Sequence, residues 1–177
     1  MGSIKPVQPV KLIIGEIFSD EKVLIDAENE LIKNFSEIEF ISETIPFDFT
    51  DYYEEEMGKN LKRRWISFKK TISPEELSEI KIKTNQIENS LADAISKKRK
   101  INLDPGYITC SNLILASTKN YSHRIYLSKG IFSEVTLIYQ QGTFHPLQWT
   151  YPDYKIEIAI DFFKKVRKSL IDCLQKK

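Results

Sequence analysis

The sequence predicts one α+β domain over residues 1–177: a mixed, mostly antiparallel sheet with a β-α-β opening, a central helix, a C-terminal meander and a closing helix. Three observations predict it. A buried-strand signature runs directly into an amphipathic helical segment and a second β-rich stretch. A long helical pattern with its own start signal occupies the middle of the chain. From Tyr107 to about Gln140 the pattern becomes that of antiparallel strands, and a final helical stripe follows. A chain of 177 residues suffices for one hydrophobic core and is short for two.

The opening strand is "VKLIIGEIF" at 10–18, an almost continuous apolar run with β-branched residues, as in strands buried on both faces. Asp20 is placed to cap a helix over 21–35, where Val23, Leu24, Ala27, Leu31 and Phe35 recur at helical spacing. "EIEFISETIPFDF" then returns to β-like composition. The central helix starts with Ser73 as cap, Pro74 at the first position and Glu76 completing a capping box. Leu77, Ile80, Thr84, Ile87, Leu91 and Ala94 form its stripe. "KKRK" at 97–100 falls at its C-terminal end, where cations complement the helix dipole, with phosphate binding as the alternative.

Asp104-Pro105-Gly106 has the chemistry of a β-turn, with Asp104 bonding forward, Pro105 presetting φ and Gly106 taking the positive φ of a type II turn. Around "SKG", a loop of Ser128, Lys129 and Gly130 sets Leu127 opposite Ile131, Tyr126 opposite Phe132, Ile125 opposite Ser133 and Arg124 opposite Glu134. Shifting by one residue would mix apolar and charged faces. This register places Arg124, Tyr126, Phe132 and Glu134 on one face, with His123, Ile125, Leu127 and Ile131 on the other. Asp153 is placed to cap the last helix, whose stripe is Ile156, Ala159, Ile160, Phe163, Val166 and Leu170.

Lys plus Arg number 26 against 25 Asp plus Glu, a net charge of +1, which argues against wholesale binding of nucleic acid or membranes. No apolar run approaches the roughly 20 residues that cross a bilayer, and no export signal is evident, so a cytoplasmic protein is expected. Cys110 and Cys173 alone supply no disulfide framework or zinc ribbon.

The densest polar block, "FDFTDYYEEEMGKNLKRRW", offers Asp48 and Glu54 as oxygen ligands for a divalent metal, together with Glu134, and Arg63 and Arg64 as forks for a phosphate. The plainer reading is a short solvated helix ending near Gly58. Lys119, His123 and Arg124 meet at a strand entrance, where His123 suits acid–base work and Lys119 and Arg124 would hold an anion. The plainer reading pairs Arg124 with Glu134 across strands and leaves His123 a half-buried strand residue. Asp104 joins His123 as a catalytic candidate only if its carboxylate leaves the turn for the same cleft. Tyr107, Tyr126 and Trp149 are candidate ligand walls, or else clamps on the core. The expected function is binding of a small anionic or phosphorylated molecule, with catalysis as its stronger form and a divalent metal as the cofactor considered. The rival is a non-catalytic interaction or assembly protein forming a homo-oligomer. Nucleic acid ranks last.

Six blocks in order carry a resemblance: "FDFTDYYEEEMG", "LKRRWISF", "IKIKTNQIE", "INLDPGYI", "SHRIYLSKGIFSEVTLIYQQGTF" and "WTYPDY". Together they resemble the bacterial family catalogued as domain of unknown function 4416, over essentially the whole chain. Members of that family are sometimes labelled GTP-binding, which the resemblance carries as an expectation. The residues supply no P-loop for GTP: the six glycines are scattered singly and none fits G-x-x-x-x-G-K-[ST].

Overall fold

The computed structural model describes residues 2–176. In chain order the elements are β1 (Val10–Phe18), α1 (Glu21–Asn34), β2 (Ile38–Ile41), β3 (Ile45–Pro46), α2 (Glu54–Met57), β4 (Lys62–Ile72), α3 (Leu77–Ser90), β5 (Ile101–Ile108), β6 (Asn112–Ser117), β7 (Ile125–Ser128), β8 (Ile131–Gln140), β9 (Thr143–Pro146) and α4 (Glu157–Gln175). Among the described residues the nine strands form one sheet ordered β2-β4-β1-β5-β6-β8-β7, with β3 on β4 and β9 on β8. Each pairing is antiparallel. The β-α-β opening fits this sheet because β4 inserts between β1 and β2, which therefore run in the same direction.

Every position of β1 is buried, as its apolar run predicts. Leu12, Ile14 and Phe18 face one core with Leu24, Ala27 and Leu31 of α1 and Ile80 and Ile87 of α3. Ile13 faces a second core with Trp65, Phe163 and Val166, under α4. Asp20 caps α1 by accepting from the Lys22 backbone N–H at 2.8 Å, and Glu76 completes the capping box on Ser73 N–H at 2.7 Å. The central helix is shorter than its pattern suggests. Asp93 accepts from the backbone N–H groups of Ile95 and Ser96, an alternative to further helix that stops the chain there. Ala94 is consequently exposed and "KKRK" lies beyond the helix end.

Asp104-Pro105-Gly106 is not a turn. It lies inside β5, where Asp104, Pro105 and Gly106 pair with Gly15, Ile14 and Ile13 of β1. The positive-φ glycines are Gly58, Gly130 and Gly142, so Gly106 is required for a different reason. A Cβ there would stand 2.3 Å from the Ile114 carbonyl oxygen, and only glycine lets β6 approach so closely. Pro105 falls just before the β5–β6 ladder begins, at a place where a missing N–H is tolerated.

The hairpin pairs Ile125 with Ser133 and Tyr126 with Phe132, as expected, but then Ser128 pairs with Ile131 through an irregularity at Leu127. The loop thus shrinks to Lys129 and Gly130, with φ of 52° and 78°, the positive values that two-residue hairpins favour. His123 sits in a turn before β7, off the strand, and this frees it to reach the same carboxylate as Arg124. Asp153 does not cap α4. It is buried within a 3-10 turn, Pro152–Lys155, because an interior cation claims it.

Candidate functional site

β5 and β6 pair only from Gly106↔Leu115 to Ile108↔Leu113. Toward the other end they separate: the first half of β5 stays on β1, while Ala116 and Ser117 stay on β8. The gap opens into a cleft of about 780 Å³, within the range of small-molecule sites. Splitting a sheet leaves backbone groups without a strand partner, and α3 supplies the substitutes. Lys81 Nζ donates to the Leu103 carbonyl at 2.9 Å, and the Leu103 N–H donates to Glu88 Oε1 at 2.6 Å. Spaced two helical turns apart, these side chains close the floor of the cleft. The walls come from the segment around Phe49 to Tyr53 and from the Pro152–Lys155 turn.

Arg63 of β4 borders the cleft with 1% of its side chain exposed. Its Nη1 donates to Asp104 Oδ2 at 3.0 Å. Its Nε lies 3.0 Å from Asp153 Oδ2 but out of line for a hydrogen bond. Gly15 makes the berth, since a Cβ there would stand 2.6 Å from Arg63 Nη2. Trp65 and Tyr154 rings flank the guanidinium, each 5.1 Å away. Its two carboxylates are driven apart. Burial works to raise the Asp104 carboxyl, but the charges of Arg63 and Lys81 outweigh it and hold Asp104 below its ordinary value. Burial holds Asp153 above its ordinary value, against the pull of Arg63.

Arg99 ties two elements over the cleft. Its Nε and Nη2 donate to Glu56 at 2.8 and 2.7 Å, and its Nη1 donates to Glu88 at 3.2 Å and to Asn102 Oδ1 at 3.0 Å. Asn102 helps keep Asp104 ionised, yet its amide nitrogen completes no hydrogen bond of normal geometry. At the mouth, Lys119 Nζ donates to the Tyr52 hydroxyl at 2.9 Å and lies 4.6 Å from the ring centre. Glu134 accepts from Arg124 Nε at 2.8 Å and lies 3.1 Å from His123 Nε2. Arg124 also donates to the Tyr151 hydroxyl at 2.7 Å. The His123 ring stacks on Trp149, 4.8 Å between centres.

The chain matches the family described as Domain of unknown function (DUF4416) over residues 8–170. It belongs to that family. No match was found among curated proteins or among solved structures.

In this DUF4416 domain, Arg63, Asp104, Lys119 and Glu134 border the cleft among the residues singled out from sequence. His123 reaches it through Glu134, Arg124 through Glu134, Tyr151 and the Lys119 carbonyl, and Trp149 stands behind His123 with its indole N–H donating to the Val135 carbonyl at 2.8 Å. Arg64 points to the opposite face of β4, onto Glu16 and Glu28. Tyr107 packs beside Leu77 and Ile114, and Tyr126 is exposed on β7 against Phe132. Asp48 and Glu54 are exposed, and among the described residues no three metal-capable side chains gather. The acidic block is a short helix ending at Met57, with Gly58 at φ 82° behind it. Lys81, Glu88, Asn102 and Asp153 border the cleft although their residue types and spacing mark no site, and Arg99 borders it from the "KKRK" run whose alternative reading is phosphate binding. One signal was available: Lys81 and Glu88 sit directly after Ile80 and Ile87, at the edge of the apolar stripe of α3. Among the described residues no helix is long and apolar enough to cross a membrane.

Proposed function

We propose that the split between β5 and β6 binds a small molecule carrying an anionic group. One observation carries this reading: Arg63, Lys81, Arg99 and Lys119, cations from separate parts of the chain, border a single cleft of about 780 Å³. Tyr53 and Tyr151 add aromatic wall to it. In the catalytic form of the reading the acid–base candidates are His123 and Asp104: Asp104 borders the cleft with 28% of its side chain exposed and is paired to Arg63, and His123 stands behind Glu134. Titration calorimetry with nucleotides, sugar phosphates and dicarboxylates, with and without magnesium, is expected to give saturable heat for at least one anionic compound. Wild-type protein that binds none of them removes the proposal.

A second reading, assembly into a homo-oligomer, rests on β7. This strand ends the sheet and exposes Ile125, Tyr126 and Leu127, an apolar edge suited to pairing with a second copy. Light scattering over a range of protein concentrations is expected to show a dimer that Ile125→Lys dissociates; a monomer at every concentration refutes this reading.

A further inference from the structure

The four cations of the cleft are not equivalent. Arg63 already faces two aspartates, and Arg99 faces Glu56 and Glu88. Lys119 is exposed at the rim. Lys81 is different: 7% exposed, it has the Leu103 carbonyl as its partner and no carboxylate within ion-pair distance among the described residues. An ammonium has three protons to donate, so one satisfied carbonyl leaves the others open. Glu88 and Asp104 feel its charge from beyond contact distance, but neither takes an ammonium proton directly, which leaves room for an acceptor at Nζ itself.

A second observation falls at the same place. Asn102 is 5% exposed, borders the cleft beside Leu103, and turns its carbonyl oxygen to Arg99, while its amide nitrogen, on the side of Asp104, completes no hydrogen bond of normal geometry. Buried polar atoms are normally satisfied, and unmet ones beside a cavity describe the missing partner. Here the unmet groups, the spare ammonium protons of Lys81 and the Asn102 amide, are donors, so the partner is an acceptor. The neighbouring acidic groups are already engaged, Glu88 by Leu103 N–H and Arg99, and Asp104 by Arg63.

We propose that Lys81 Nζ and Asn102 Nδ2 form an oxyanion subsite at the split end of β5, taking a carboxylate or phosphate group of the ligand. This rests on the cleft being a small-molecule site, and it assigns the anion to a lysine and an amide rather than to the arginines. The ammonium supplies the charge and the amide fixes the orientation.

The test follows the Asn102 side-chain amide signals by NMR while wild-type protein is titrated separately with inorganic phosphate, acetate and glucose. The expected result is a saturable shift with phosphate or acetate, the stronger of the two naming the oxyanion, and none with glucose. Followed in the variants at the Leu103 backbone amide, which each of them keeps, Lys81→Met is expected to weaken that binding by about 10- to 100-fold and Asn102→Ala by about 3- to 10-fold. Asn102→Ala carries the comparison if Lys81→Met does not fold, because the Leu103 carbonyl also depends on Lys81. Oxyanion affinity unchanged in a folded variant overturns the subsite and leaves the cleft reading intact. Saturation with glucose alone does the same. Wild-type protein silent to these probes overturns the subsite, and silence to the calorimetric panel as well removes both.

Discussion

Replacing Arg63 with methionine is expected to destabilise the domain by about 3–5 kcal/mol, read as a fall in the urea midpoint at neutral pH. The size follows from what is left behind. Methionine fills much of the volume but strands Asp104 and the buried Asp153 without their shared cation. Because the harm lies in the stranded charges, Arg63→Met combined with Asp104→Asn and Asp153→Asn should recover much of the loss. Gly15 offers an independent check on the same geometry. Gly15→Ala places a Cβ against Arg63 Nη2 and Cζ and should cost about 1–3 kcal/mol in the wild-type background. With Arg63 replaced, both guanidinium atoms it strikes are gone and only the Tyr154 hydroxyl remains, at 2.8 Å. The two changes should therefore be less than additive. Strict additivity would mean that Gly15 does not exist to seat the guanidinium.

The Arg63 cluster also explains which parts of the molecule were legible. β1, α1, the start of α3 and the face of α4 follow from apolar periodicity and capping residues, because in each the local preference and the tertiary packing agree. β4 and β5 flank β1 at the centre of the sheet, yet they break the pattern of buried strands by carrying Lys62, Arg63 and Arg64, and Asn102 and Asp104. Those residues look like surface or turn chemistry until the strands are paired. Only then do Arg63, Asp104 and Asp153 become one interior group drawn from three distant segments. Asp104-Pro105-Gly106 misleads for the same reason: proline and glycine mark a turn locally, but here they mark the place where one ladder stops and another strand presses close. Glu134 is legible from its hairpin register with Arg124, and Lys119 from its closeness in sequence to His123 and Arg124, since both relations are local. Lys81 and Asn102 are not, since their roles depend on a sheet that splits and a helix that fills in beneath it.

On the opposite face of β1, Glu16 makes a prediction about pH. Its side chain is fully buried; Oε2 accepts from Arg64 Nε at 2.9 Å, while Oε1 has no hydrogen-bond partner. Arg64 also donates to Glu28 of α1, so one guanidinium serves two carboxylates. Burial, then the charge of Glu28, raise the Glu16 carboxyl against the pull of Arg64, from 4.5 to about 8. The unfolded chain releases this proton near 4.5 and the folded chain holds it to about 8. Between those values the native state binds more protons, so stability falls as pH rises through the window and levels off above it. The loss is on the order of 3–5 kcal/mol. Glu16→Gln removes the titration and keeps the shape. Its stability relative to wild type should accordingly climb between pH 5 and 8, measured by urea unfolding at each pH. Asp153 and Glu88, raised chiefly by their own burial, slope the same way but are present in both proteins and cancel in the difference. A difference independent of pH would show that Arg64 keeps Glu16 ionised. A difference that climbs would mean that at neutral pH Arg64 belongs electrostatically to Glu28, tying α1 to the sheet, while Glu16 sits beside it as a neutral acid.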